Sequence, residues 1–153
     1  CRPSEAIALE WKHWKRDTLL FEQAIVKVGS GFQLKAGLKT QQRRSFPVNA
    51  QLGSLLERLK GTRQPGIPWV FPSPEGHFIN PHDFRVRAWT TCLQEAGVEY
   101  RSPYQCRHTF ITQCINQGIP IPVIARWVGN SPEVIMRHYA GILGEWTVPD
   151  LGL

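Results

Sequence analysis

No apolar run in these 153 residues approaches the about 18 that a membrane-spanning helix requires, so nothing in the chain reads as a membrane helix. The opening residues carry no signal-peptide pattern, and with no initiator methionine the natural N-terminus is not in view. Cys1, Cys92, Cys106 and Cys114 form no CxxC pair and no zinc-ligand spacing, so no metal is expected. Cys92 and Cys114 sit among apolar neighbours at helical spacing, and buried, reduced thiols of a cytoplasmic protein are expected there. Acidic residues are few, 12 against 18 lysines and arginines, and the formal charge of +6 favours a polyanionic partner. The chain also lacks repeats, low-complexity tracts and long linkers. It therefore reads as one domain, large enough for a real hydrophobic core.

What is present is an ordinary globular composition, 42% hydrophobic and 20% charged. The six tryptophans, Trp11, Trp14, Trp69, Trp89, Trp127 and Trp146, are expected mostly in the core. They do not interleave with basic residues as they would on a single-strand-binding surface.

The local pattern predicts a short helix over Pro3 to Trp14 and a strand over Thr18 to Val28. Gly29-Ser30-Gly31 signals a turn, with further strands over Phe32 to Leu38 and Arg43 to Val48. Beyond that the chain turns helical. Asn49 caps a helix over Ala50 to Lys60, stopped by Gly61, and Gly66 to Gly76 reads as a loop with a short extended piece. Asn80-Pro81 opens a long helix ending at Gly97, with Phe84, Ala88, Trp89, Cys92, Leu93 and Ala96 on its inner face. Three more residues followed by proline in the same way, Ser102-Pro103, Ile119-Pro120 and Ser131-Pro132, predict helices near 103–117, 120–128 and 132–140. The joints are short, so these helices should pack as neighbours. The expected fold class is α+β, mainly helical, with a small antiparallel β-sheet near the N-terminus.

The stretch from Ser102 to Gly141 carries the chemistry. It opens with Arg107-His108-Thr109 on the first turns of a helix and closes on Tyr139 at the end of another. Breaking a phosphodiester without a metal requires that charge on the non-bridging oxygens be neutralised, that a nucleophile be aligned, and that the leaving oxygen be protonated. Arginine suits the first task, since its planar fork binds phosphate bidentately and keeps its charge. A tyrosine nucleophile suits strand exchange because the phosphotyrosyl bond conserves the energy of the broken linkage.

These residues resemble the second catalytic block of the tyrosine recombinases, the phage-integrase family of DNA strand-exchange enzymes. The resemblance extends from Cys1 to about Gly141 and implies the family's catalytic-domain fold. Arg2, in CRPSEAIALEW, is similar to the family's first arginine, which begins a helix. Lys39, in LKTQQRRSFPV, resembles the β-hairpin lysine implied to protonate the departing 5′ oxygen, with Lys35 as a competitor in the same hairpin. Arg107 matches the second arginine and Tyr139 the nucleophile, which leaves a 3′-phosphotyrosyl and a free 5′ hydroxyl. Asn130 lies 23 residues after Arg107, and Tyr139 nine after Asn130, in the family's order.

Two positions depart from the common pattern. Tyr104 stands where the family usually has histidine, and Asn130 stands where it usually has histidine or tryptophan. A phenol can still hydrogen-bond a phosphate oxygen, whereas an amide donates a hydrogen bond but relays no proton. His108 is expected as a structural or supporting histidine, and His138 as a helix-end residue. Arg43, Arg44, Arg85, Arg87 and Arg101 are candidate DNA-phosphate contacts.

The resemblance implies an enzyme that breaks and rejoins double-stranded DNA with no cofactor, in the company of other protomers. Its setting would be the cytoplasm of a bacterial or phage-infected cell, at the nucleoid. The alternatives are an inactive integrase remnant that serves as a DNA-binding module and, further off, a type IB topoisomerase-like enzyme. Relatives carry an N-terminal core-binding domain and further helices ahead of the first arginine. Residues 1–153 are therefore expected to be a truncated catalytic domain.

Overall fold

The computed structural model describes residues 1–38, 43–139 and 141. Helix α1 (Pro3–Ile7) leads through a 3₁₀ turn (Trp11–His13) into strands β1 (Thr18–Phe21), β2 (Gln23–Val28), β3 (Gly31–Ala36) and β4 (Arg44–Pro47). Then follow α2 (Ala50–Gly61), α3 (Pro81–Asp83), a π-helical stretch (Phe84–Trp89), α4 (Thr90–Glu95), α5 (Gln105–Asn116), α6 (Ile121–Val128) and α7 (Pro132–Tyr139). This is the expected mainly helical α+β arrangement with a small antiparallel sheet near the N-terminus.

The first predicted helix is shorter than its pattern suggested. Past Ile7 the chain turns at the buried Ala8 (φ −81°, ψ 0°) and leaves the helix: the Leu9 carbonyl accepts from the Val70 amide at 2.9 Å, and the Trp11 amide donates to the Pro68 carbonyl at 2.9 Å. Backbone groups committed to a distant segment cannot also close helical turns. The predicted strand over Thr18 to Val28 is two strands broken at Glu22. β1 pairs antiparallel with β4 (Phe21 opposite Arg44), and β2 pairs antiparallel with β3 (Gln23 opposite Ala36). The Gly37 amide still reaches the Glu22 carbonyl at 2.8 Å. The described pairing thus stops at Gly37 on one sheet and begins at Arg44 on the other. Lys39 belongs to that interval, among residues 39–42 that lie outside the described residues.

The core is divided. Ile111, Cys114, Ile115, Ile124, Val128 and Ile135 form one cluster where α5, α6 and α7 meet, and Tyr139 is buried at its edge. Leu19 and Phe21 of β1 pack with Leu9, Leu38, Leu56 and Val70 in another. The predicted long helix departs from expectation: no side chain from Pro81 to Glu95 is buried. Cys92 in particular is exposed, while Cys114 is buried as expected. Apolar spacing gave the helix correctly, but burial also requires an opposing surface, which the described residues do not close over this face. Among the described residues, no helix is long and apolar enough to cross a membrane.

Candidate functional site: an arginine clamp beside a buried tyrosine

The end of α6 organises the site. A helix leaves its last carbonyls without intrahelical partners and concentrates partial negative charge there. Three guanidinium groups take three successive carbonyls. Arg44 Nε donates to the Trp127 carbonyl at 3.0 Å, Arg107 Nη1 to that of Val128, and Arg2 Nη2 to that of Gly129 at 2.9 Å. Gly129 adopts the left-handed conformation (φ 65°) that ends the helix. A Cβ there would also stand 3.0 Å from Arg44 Nη1, so glycine is required on two counts.

Three cations in one place need a counter-charge, and Glu5 supplies it. Its carboxylate, 2% exposed, accepts from the Arg2 amide at 2.7 Å and from Arg2 Nη1 at 2.9 Å. Arg44 donates both terminal nitrogens to the same carboxylate, Nη1 at 3.0 Å from Oε1. Burial alone would raise the Glu5 pKa. The hydrogen bonds from Arg44 and Arg2, with the charge of Arg44, outweigh it and hold the carboxyl below the usual range. Arg107 lies in the same field. Burial and the neighbouring Arg2 charge lower its pKa, but a guanidinium keeps its proton.

Arg107 is 4% exposed, and its second terminal nitrogen, Nη2, finds no acceptor among the described residues. A buried charged donor without a partner is costly, and an anion would satisfy it. Around it, Tyr104 lies under the guanidinium at 6.0 Å and packs edge-on against His108, ring centroids 5.2 Å apart. Nδ1 of His108 hydrogen-bonds the Tyr139 hydroxyl. Burial pushes the Tyr139 pKa up, opposed by the charge of Arg107 and reinforced by Tyr104. Asn130 follows the helix end directly. Its amide oxygen accepts from the Ser131 amide at 3.2 Å, which leaves the amide nitrogen as its donor.

Of the six residues singled out from sequence, the fold brings five toward this region: Arg2, Tyr104, Arg107, Asn130 and Tyr139. Lys39 lies outside the described residues. Three participants were missed or misjudged. Glu5 was not singled out at all. Arg44, expected on the surface as a DNA-phosphate contact, is 7% exposed and spent on Glu5. The alternation of β4, which turns Arg44 and Phe46 to one side, was the available signal. His108, expected as a supporting histidine, touches the Tyr139 hydroxyl itself. His138 is exposed at the end of α7, as expected. A cleft of about 610 Å³ borders the clamp, with Arg43, Arg126 and Asn130 on its walls, but neither Arg107 nor Tyr139 lines it.

The model of the phage integrase family matches residues 1–143. The chain belongs to the phage integrase family. An integrase of Saccharopolyspora erythraea is 29% identical over 85 residues, 56% of this chain and 19% of that protein. A XerC-like tyrosine recombinase of Caldanaerobacter subterraneus subsp. tengcongensis is 29% identical over 63 residues, 41% of this chain and 16% of that protein. Among solved structures, the Tn1549 transposon integrase in complex with a circular intermediate DNA superposes with a TM-score of 0.78 at 17% identity, over 91% of this chain and 50% of that one. The same integrase in complex with transposon right end DNA gives 0.77 at 17% identity, over 96% and 51%. The family's catalytic-domain fold is thus the fold of this chain, which spans about half of those solved chains.

Proposed function

We propose that this chain is the catalytic domain of a site-specific recombinase that cuts and rejoins double-stranded DNA through a 3′-phosphotyrosyl intermediate. The observation that carries the reading is Nη2 of Arg107, a buried cationic donor with no acceptor among the described residues, next in sequence to the His108 that bonds the Tyr139 hydroxyl and beside Arg2 on the end of α6. A phosphodiester supplies the missing acceptor. Arg107 and Arg2 neutralise the charge that builds on the non-bridging oxygens, and Tyr104 and the amide of Asn130 add hydrogen bonds. Tyr139 attacks phosphorus, and Lys39 protonates the departing 5′ oxygen. The step draws its electrostatic stabilisation from guanidinium groups and calls on no metal or cofactor.

Family membership over residues 1–143 and the excess of positive charge support double-stranded DNA as the partner, with other protomers assembled on it. The same chemistry fits a phage or mobile-element enzyme working at the nucleoid, in the cytoplasm. Arg44 is kept out of the phosphate by Glu5, and its part is to hold Arg2 and the end of α6 in place.

The test is a nicked suicide DNA substrate, which traps covalent protein once the short cut strand diffuses away. Wild-type protein should form a denaturation-resistant adduct, with or without EDTA, and Tyr139→Phe should form none. Absence of an adduct from wild type would remove the catalytic reading, and an adduct from Tyr139→Phe would move the nucleophile elsewhere. Cleavage abolished by EDTA would end the metal-free mechanism.

A further inference from the structure

His108 stands where the proton of the attacking hydroxyl has to go. Its Nδ1 meets the Tyr139 hydroxyl although the two residues are 31 apart in sequence, with ring centroids 5.9 Å apart. Tyr104, the residue that caps the start of α5 four positions earlier, packs edge-on against the same imidazole and fixes the ring's orientation. The titratable groups that face His108 are therefore Tyr104 and Tyr139, with the Arg107 guanidinium beside them.

Of these, only the imidazole is suited to accept. Arg107 keeps its proton at any working pH and offers no lone pair. The phenol of Tyr104 is an acid of the same kind as Tyr139, so passing the proton to it gains nothing. A neutral imidazole carries one basic nitrogen. In the tautomer protonated at Nε2 that nitrogen is Nδ1, which meets the hydroxyl.

We infer that His108 is a catalytic residue, the general base that takes the Tyr139 proton as the phenol oxygen attacks phosphorus. The inference deepens the DNA-cleavage reading above and rests on it. In the tautomer protonated at Nε2, the Tyr139 hydroxyl donates to Nδ1. The bond from Tyr139 Oη to phosphorus forms, the bond from phosphorus to the 5′ oxygen breaks, and the phenolic proton ends on Nδ1. The 5′ oxygen takes its proton from Lys39, so charge and atoms balance without a redox partner. Rejoining reverses the path: the 5′ hydroxyl displaces Tyr139, and His108 returns the proton to the leaving phenolate. Burial, which raises the Tyr139 pKa, makes a base the more necessary at neutral pH.

The experiment measures single-turnover adduct formation on the suicide substrate by wild type, His108→Gln and His108→Ala, between about pH 6 and 9, with and without free imidazole. Both variants should bind the DNA as wild type does and cleave about 10²-fold more slowly or worse at neutral pH. Wild type should cleave more slowly toward the acid end of that range, and both variants should lose that dependence. Added imidazole should restore part of the rate to His108→Ala, where a space has been opened, and none to His108→Gln. Cleavage by His108→Gln at the wild-type rate would overturn the assignment. So would a slow variant with the wild-type pH profile and no response to imidazole, since that pattern belongs to packing alone. Wild type that forms no adduct at any pH would remove the cleavage reading, and this inference with it.

Discussion

Arg44 and Arg107 are both buried guanidinium groups on neighbouring carbonyls at the end of α6, yet they stand in opposite situations. Arg44 fills its donors with the Trp127 carbonyl and two oxygens of Glu5. Arg107 fills one with the Val128 carbonyl and finds no acceptor for Nη2 among the described residues. The first is a finished structural joint, and the second is held open by it. Burial of a charge therefore does not by itself mark a reacting group. What distinguishes the two is whether the protein supplies every acceptor.

Substitutions on the two sides should separate stability from activity. The largest effect belongs to Tyr139→Phe, which should abolish adduct formation while the thermal midpoint moves little, because only one hydrogen bond to His108 is lost, about 0.5–1.5 kcal/mol. Arg107→Lys should keep the charge but lose the planar fork. Cleavage of the suicide substrate should drop about 10²–10³-fold with a modest change in urea unfolding. On the other side, Glu5→Gln removes the counter-charge from Arg44 and Arg2. The cost to unfolding free energy should be about 3–5 kcal/mol, as for other buried pairs that lose one partner, and cleavage should fall less than in Arg107→Lys, through the loosened Arg2 and the smaller folded fraction. If Glu5→Gln left stability untouched, the division of labour between the two arginines would be wrong.

Gly129→Ala should cost about 1–3 kcal/mol in denaturant unfolding, from left-handed strain plus the contact with Arg44. The smallest effect is a slope with pH. The folded-state pKa of Glu5 lies below its ordinary value of 4.5. Its contribution is therefore fully present above that value and is lost as pH falls through the depressed one. Acid titration of stability should show this slope in wild type and a shallower one in Glu5→Gln.

Much of this was legible in the chain. Proline-started segments and glycine stops marked α5, α6 and α7 within a few residues, and the triplet at Arg107 with a tyrosine at the right distance pointed to the site. The misses share a physical cause, which is dependence on distant partners. Glu5 looks like one acid in an amphipathic turn until Arg44, 39 residues on, folds over it. His108 reads as a structural or supporting histidine, and what it supports is not visible until α7 brings Tyr139 to its ring. The early end of α1 goes with the bond from Val70 to Leu9, and the exposure of Cys92 with what faces its helix, neither of which is written in local periodicity.

The three grips on the end of α6 join residues 127, 83 and 21 positions apart. Contacts that span most of a chain close late, because the entropy of bringing distant segments together must be met first. The clamp cannot exist until the stretch from Arg2 to Gly129 has left the ribosome and closed on itself. On the cleavage reading proposed above, the capacity to act on DNA is thereby tied to the joining of those two distant residues.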